Sequence, residues 1–312
     1  MHAQPPSILD LKAPILTVAA LGLVLGGCVV LGRAAMNGIP ACGPDEVPSA
    51  TTVAQVRRNV VTGLAAVATW GTSACRLQAR LTFTVKRFTK RVSPGGAIRT
   101  IKGNPAVARV DAVLKPGAVL LRSWRWRNWC GPSGRFQLQA SFSEWPYLAV
   151  PSPSVAPPRC VAHGAPSSLV RAPVTIRRCL TSDYRVRPGV GGGFMQSLIV
   201  GVGVELRTHR APCLLTYAKV TFALQQQVND RWVTLRQIEG NPGHRTIGAL
   251  LARRSEPAQV FWAWRNWCGG GGRFRSFARV DERTAAGRVF TQPISCQDPK
   301  APSTLSPSYG HG

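Results

Sequence analysis

The sequence predicts an all-β protein, in which an N-terminal membrane-anchor helix or signal precedes two tandem immunoglobulin-like antiparallel β-sandwiches. First, a motif of three Trp, one Asn and one Cys runs from Trp124 to Cys130 and recurs from Trp262 to Cys268, 138 residues later. Second, eight Cys fall into two sets of four with nearly equal intervals. Third, short apolar segments alternate with Gly- and Pro-rich turns, as is typical of antiparallel sandwiches. Together these observations indicate an internal duplication, and 312 residues suffice for two domains.

The first element is an apolar stretch. Residues 13–32 carry no charge over 20 positions, a length that can span a bilayer as a helix. Within it, Leu25 to Cys28 (LGGC) resembles the lipobox of bacterial lipoproteins, whose Cys is lipidated and becomes the mature N-terminus. An uncleaved transmembrane helix and a signal cleaved near Ala35 are the alternatives. Each assigns residues 1–35 to an anchor or signal and places the rest on the extracytoplasmic face of the cell membrane.

The other eight Cys are consistent with export. Four Cys in each copy predict two disulfides per domain, because no Cys-x₂-Cys pair or paired His indicates a metal site. Four Cys permit three pairings. The interval of 55 residues that both copies share favours one of them. The expected bonds are Cys75–Cys130, Cys42–Cys160, Cys213–Cys268 and Cys179–Cys296.

Strand and turn patterns repeat in the same order in the two copies. Residues 77–85 alternate apolar and polar side chains, which predicts a half-buried strand, and residues 214–224 correspond to them. The turn at 103–105 (Gly-Asn-Pro) returns at 240–242. After the anchor the chain is therefore expected to divide into a first sandwich (36–160), a Pro-rich linker (161–175), a second sandwich (176–297) and a disordered tail (298–312).

Paired Cys, a Trp-x-Asn-Trp-Cys strand end and Gly-Asn-Pro turns together resemble the small β-sandwich domains of unknown function in secreted proteins and lipoproteins of actinobacteria. The resemblance covers residues 42–296. It implies an exported, membrane-anchored pair of immunoglobulin-like modules without catalytic residues.

The repeated Trp motif has two interpretations. On a strand, Trp124 and Trp126 share one face, whereas Arg125, Arg127 and Trp129 share the other. The rings could form an aromatic platform for bases or sugars, or they could pack in the sandwich core. Both copies keep the Trp, Asn and Cys residues while the Arg face varies, which favours the core. The residues assigned to the core are Trp124, Trp126, Trp129, Trp262, Trp264 and Trp267.

The chain is strongly basic, with 39 Lys and Arg against 13 Asp and Glu and a net charge of +26. Residues 42–160 hold 17 basic and 4 acidic residues, and residues 179–296 hold 16 and 7. Such a field favours anionic partners. The candidate contact residues are those that the second copy lacks or that flank the Trp motif: Lys86, Arg87, Lys90, Arg91, Arg125 and Arg127. A solvated loop, or a proteome rich in Arg, would explain the same residues without a partner.

Catalytic patterns are missing from the sequence. None of the five His lies in the first copy, and no nucleophile elbow, Ser-x-x-Lys or His-Glu-x-x-His motif occurs. We therefore expect no enzyme activity, no cofactor, no metal and no small-molecule substrate.

The predicted function is non-catalytic binding or scaffolding at anionic surfaces of the cell envelope, with a wall polymer, lipid headgroups or a protein as partner. The alternative is extracellular nucleic-acid binding, and an enzyme without a recognisable motif is the third hypothesis.

Overall fold

A computed structural model describes residues 38–308 except for gaps at 44–46, 48, 58, 71, 89–95, 144–150, 191–193, 196–197, 209–210, 254–256 and 292–293. The predicted anchor at 1–35, with Cys28, lies outside these residues, as do Lys90 and Arg91. The described residues form mostly antiparallel sheets and contain no α-helix, which confirms the all-β prediction. No helix in this part of the chain has the length and apolarity to cross a membrane.

The first domain has two sheets. Its strands are β1 (Ser49–Arg57), β2 (Val60–Ala68), β3 (Cys75–Arg87), β4 (Ala106–Leu114), β5 (Val119–Arg127), β6 (Phe136–Phe142) and β7 (Ser168–Arg171). One sheet has the order β1-β2-β5-β7 and the other β4-β3-β6. On β3 the residues alternate between buried and exposed because one face packs inward. Leu77 and Phe83 of β3 share one apolar cluster with Trp124 and Trp126 of β5, so the two sheets enclose a common core.

The second domain repeats this layout. Its strands are β8 (Tyr184–Val190), β9 (Phe194–Met195), β10 (Leu198–Thr208), β11 (Cys213–Val228), β12 (Arg231–Thr234), β13 (Ile238–Glu239), β14 (Gly243–Leu251), β15 (Ala258–Arg265), β16 (Phe274–Val280), β17 (Arg283–Phe290) and β18 (Ser303–Ser308). The order β8-β10-β15-β18 corresponds to β1-β2-β5-β7, and β14-β11-β16 corresponds to β4-β3-β6. The other strands extend the sheets at their edges.

The predicted linker and tail both contain the last strand of a domain. Within 161–175, β7 pairs with β5, and within 298–312, β18 pairs with β15. The prediction of a Pro-rich linker and a disordered tail was therefore wrong at these strands. Their Pro- and Ser-rich composition suggested disorder, but each segment satisfies the backbone hydrogen bonds of a sheet edge. In a constant-type immunoglobulin sandwich the last strand lies in the three-stranded sheet, whereas β7 lies in the four-stranded one.

The four disulfides join consecutive Cys, and the predicted pairing was wrong. The bonds are Cys42–Cys75, Cys130–Cys160, Cys179–Cys213 and Cys268–Cys296. Cys75 pairs in register with Leu114, just before β5 begins, whereas Cys130 lies beyond the far end of β5. A nine-residue strand spans about 30 Å, so Cys75 and Cys130 lie at opposite ends of the domain.

The two domains pack closely at one end of the first. The indole nitrogen of Trp70 donates to the carbonyl of Gly248 at 2.8 Å, and the amide of Tyr217 donates to the carbonyl of Gly117 at 3.0 Å. Val53 and Leu64 share an apolar cluster with Leu250 and Ala252 of the second domain. The domains are thus joined by apolar packing and by backbone hydrogen bonds.

We expect Gly248→Val to separate the domains and to withdraw Trp70, which belongs to the apolar cluster of the second domain, from its contacts there. A Cβ at Gly248 would lie 2.6 Å from the Gly117 carbonyl oxygen and 2.9 Å from that of Ala118, atoms that a strand cannot easily move. The overpacking should cost about 1–3 kcal/mol. Small-angle scattering should show a larger radius of gyration, and unfolding should divide into two transitions. Gly189→Val is the control because a Cβ there meets nothing within 4 Å; unchanged dimensions for Gly248→Val would contradict the prediction.

Candidate anion-binding surface

Strand β5 fixes two Arg side chains on the outside of the first domain. Trp124 and Trp126 are 1% and 0% exposed and point into the core. The ring of Trp124 stacks on Phe83 with centroids 4.4 Å apart, and the indole nitrogen of Trp126 donates to the hydroxyl of Ser167 at 2.9 Å. Because neighbouring residues of a strand face opposite ways, Arg125 and Arg127 lie on the outer face. Arg127 is exposed, and Arg125 is half-buried.

The strand pattern predicted that Trp129 lies on the same outer face as Arg125 and Arg127, and this prediction was wrong. Asn128 has a left-handed backbone with φ 54°, which breaks the alternation at the end of β5. Trp129 therefore turns back into the core, where it is 7% exposed and meets Phe136 edge-on with centroids 5.4 Å apart. Asn266, with φ 52°, directs Trp267 inward in the second domain. The buried rings are unavailable for stacking on bases or sugars.

The Asn of the motif holds the segment that leads to the last strand. The side-chain nitrogen of Asn128 donates to the carbonyls of Ala162 and Ala165, at 3.0 and 2.8 Å. Its side-chain oxygen accepts from the amides of Val161 and Ala162, at 2.9 and 3.0 Å. Asn266 makes the equivalent four bonds in the second domain. The motif thus has a structural role in both copies.

Strands β3 and β5 finish at the same end of the first domain. Arg87, the last residue of β3, pairs with Phe136, and eight residues connect Phe136 to Arg127. Basic residues from distant parts of the chain lie at this end. Their side chains are exposed, except that of Lys86, which is half-buried. We call it the basic end, and its described members are Arg57, Lys86, Arg87, Arg99, Lys102, Arg127, Arg135 and Arg159.

No carboxylate among the described residues neutralises the basic end. The one described acid of the first domain is Asp111, which pairs in register with Gln78, about 30 Å along β3 from Arg87. Asp111 accepts two hydrogen bonds from the guanidinium of Arg76, at 2.9 and 2.8 Å. These bonds lower the pKa of Asp111, so it remains ionised and its charge is matched locally by Arg76.

The corresponding end of the second domain has mixed charge. Asn104 and Asn241 bind the backbones of Val85 and Leu224, which aligns Lys86 and Arg87 with Gln225 and Gln226. Among the described residues, this end holds five cations and three carboxylates. The cations are Arg231, Arg236, Arg265, Arg273 and Lys300, and the acids are Asp230, Glu239 and Asp298. The same arrangement of strands therefore accommodates an end with cations only, as in the first domain, and an end with both charges, as in the second.

Within the part of the chain that the structure describes, one group of potential metal ligands occurs, near the basic end. Ligand atoms of Cys130, Cys160 and His163 lie within 4.8 Å of one another. The two sulfurs are bonded to each other, and a disulfide sulfur lacks the charge of the thiolate that binds metals. The arrangement is that of a disulfide beside an imidazole.

No protein-family model matches the chain, and a search of curated proteins finds no match either. We therefore compare the two copies with each other. Residues that both copies share are attributed to the fold, and residues that differ between them are candidates for binding. The sequence pattern had identified Lys86, Arg87 and Arg127 at the basic end, but it missed the other members. Lys102 was detectable, because it precedes the Gly-Asn-Pro turn at the position where the second copy has Glu239.

Proposed function

We propose that the protein is a non-catalytic component of the cell envelope that uses the basic end of its first domain to bind an anionic partner. The observation that carries the proposal is the concentration of eight described cations at one end without a described carboxylate, on a scaffold whose second copy has mixed charge. Clustered charges of one sign raise the local potential, attract counter-ions and accelerate association with anionic ligands.

The proposed location is the extracytoplasmic face of the cell membrane. Four disulfides favour an oxidising compartment. The apolar stretch at 13–32 would supply the anchor, as a lipidated Cys28 or as a transmembrane helix. We further propose that the two domains are variants of the immunoglobulin-like sandwich whose last strand has moved to the other sheet, in keeping with their resemblance to actinobacterial secreted domains.

The test is a salt-titrated binding assay with the full chain in a non-ionic detergent. The probes are a phosphate-containing wall polymer, anionic vesicles and duplex DNA. The variant Lys86→Gln/Arg87→Gln copies the residues of the second domain. We expect it to weaken binding by about 25-fold, since each cation near an anionic surface contributes about 1 kcal/mol.

A charge-matched variant provides the control. Arg231→Gln/Arg273→Gln removes two cations from the second domain, where acids already lie nearby, and should weaken binding by less than about threefold. Equal losses in the two variants would show that net charge alone attracts the ligand. Absence of binding to every probe at low salt would refute the proposal.

A further inference from the structure

Three cations of the basic end lie in one row that crosses the sheet β1-β2-β5-β7 and continues to Lys102 beyond its edge strand β7. Arg57 pairs with Val60, Val60 pairs with Arg127, and Arg127 pairs with Ser168. Ser168 in turn bridges to Lys102. Residues that are opposite one another on adjacent strands project from the same face. Since Arg127 projects outward, all five positions of this row face outward.

The row has regular spacing. Adjacent strands lie about 4.8 Å apart, so the cations at the first, third and fifth positions recur at about 10 Å intervals over about 19 Å. Val60 and Ser168, between them, have short, half-buried side chains. The longer side chains of Arg57, Arg127 and Lys102 are exposed. Val60 lies between the first two of them, and Ser168 lies between Arg127 and Lys102.

The next row inward is polar at three of its four positions, the exception being the exposed Val170 on β7. Gln55 pairs with Thr62, Thr62 with Arg125, and Arg125 with Val170. Arg125 therefore lies beside Arg127 on the same face and adds a fourth cation along the inner side of the row. A ligand that follows the row would meet hydrogen-bonding groups on that side.

The second domain contains the same row without its charge pattern. Leu198 pairs with Arg265, Arg265 with Thr304, and Thr304 with Glu239. Glu239 thus occupies the position of Lys102, and Ala263 replaces Arg125. The fold maintains the row in both copies, but only the first copy presents cations alone.

We propose that the row binds a linear polyol-phosphate polymer of the cell wall, which lies across the strands with its phosphates against Arg57, Arg127 and Lys102. This inference rests on the proposed function and specifies its ligand. Cations in single file complement negative charges that repeat along an extended chain. The row contains no aromatic ring, whereas proteins that bind single-stranded nucleic acids stack bases on aromatic side chains. A polymer with phosphodiesters and no bases therefore fits the row better than a nucleic acid.

The row lies far from the point at which the chain enters the first domain. The chain joins the domain at Ala41 and Cys42, where Ala41 bridges to Arg76 on β3. Arg76 is about 35 Å along β3 from Arg87, at the opposite end of the domain from the row. A ligand of the row is thus bound away from the point at which an N-terminal anchor would attach.

The experiment compares full-length variants in a non-ionic detergent by isothermal calorimetry. The probes are poly(glycerol phosphate) of defined lengths, single-stranded DNA with the same number of phosphates, and phosphatidylglycerol vesicles. Lys102→Glu, which copies the second domain, should weaken polymer binding by about 25-fold for a change of two charges. Affinity should rise steeply with polymer length until the chain spans about 19 Å and only slowly beyond that.

Lys115→Glu is the matched control, because Lys115 is exposed in the turn before β5 at the opposite end of the domain. It should change the affinity by less than about twofold. Equal losses for Lys102→Glu and Lys115→Glu would refute the row, as would DNA or vesicles that bind more tightly than the polymer. If Lys86→Gln/Arg87→Gln weakens binding and Lys102→Glu does not, the proposed function stands and the row is wrong. If no anionic probe binds, both fail.

Discussion

Replacing Trp126 with Ala is expected to lower the free energy of unfolding by about 3–5 kcal/mol. The indole is 0% exposed and meets Trp129 and Phe136 edge-on, with ring centroids 5.6 and 5.1 Å away. Its nitrogen also donates to the hydroxyl of Ser167. Truncation would remove this packing, leave a cavity and deprive β7 of one attachment. Urea unfolding followed by circular dichroism measures the loss.

The same strand supplies the control. Arg127→Ala changes the neighbouring residue on the outer face and should alter stability by less than about 0.5 kcal/mol. Trp264→Ala should reproduce the large loss in the second domain, because Trp264 is 0% exposed and donates to Ser303 at 3.1 Å. If the motif instead formed a binding platform, Trp126→Phe would reduce ligand affinity and leave stability nearly unchanged. That result would contradict the structural role.

The sequence was sufficient to predict the class of fold because the period of a half-buried strand is visible in a single segment. Residues 77–85 show it directly, and β3 includes all of them. The inward turn of Trp129 could not be predicted this way, because one left-handed residue, Asn128, reverses the faces that follow. The last strands had a signal that was missed. Residues 165–169 (APSSL) recur as residues 301–305 (APSTL), so the duplication extends into the supposed linker and tail.

The candidate site was predicted only where its residues form a local cluster or lie within the repeated Trp motif. Lys86 and Arg87 form a local cluster and were identified. Arg57, Lys102 and Arg127 are far apart in sequence and meet only because the strand order places them in one row. Pairing between strands depends on long-range packing, which the pattern of a single sequence does not reveal. The charge difference between Lys102 and Glu239 is visible from the aligned Gly-Asn-Pro turns, but only the bridge to Ser168 shows that Lys102 lies in line with Arg127.

The disulfide pairing was mispredicted for a related reason. The shared interval of 55 residues is the length of the segment from the start of β3 to just beyond β5. The segment from β11 to just beyond β15 has the same length in the second copy. This shared interval does not indicate proximity, since the two Cys lie at opposite ends of the domain. The observed bonds instead attach the segments before β1 and after β6 to nearby strand ends.

Removing the bond between Cys42 and Cys75 should be nearly as damaging as truncating Trp126. The bond closes a loop with a sequence separation of 33 residues, and in the chain-entropy model its loss costs about 3–4 kcal/mol. Both Cys are buried, at 7% and 1% exposure, so lost packing adds to the cost. We expect Cys42→Ala/Cys75→Ala to lower the free energy of unfolding by at least this amount in the urea assay.

The same double variant tests the pairing itself. If Cys42 and Cys75 are bonded to each other, their joint removal leaves no new thiol, and a thiol-reactive dye should label the unfolded variant and the unfolded parent protein equally. If they are bonded instead to Cys160 and Cys130, the variant would leave those two Cys without partners, and it would gain two reactive thiols unless they form a new bond with each other. Cys28 contributes equally to both samples and cancels in the comparison. Two additional labels would therefore refute the consecutive pairing, and with it the attachment of the N-terminal segment to β3.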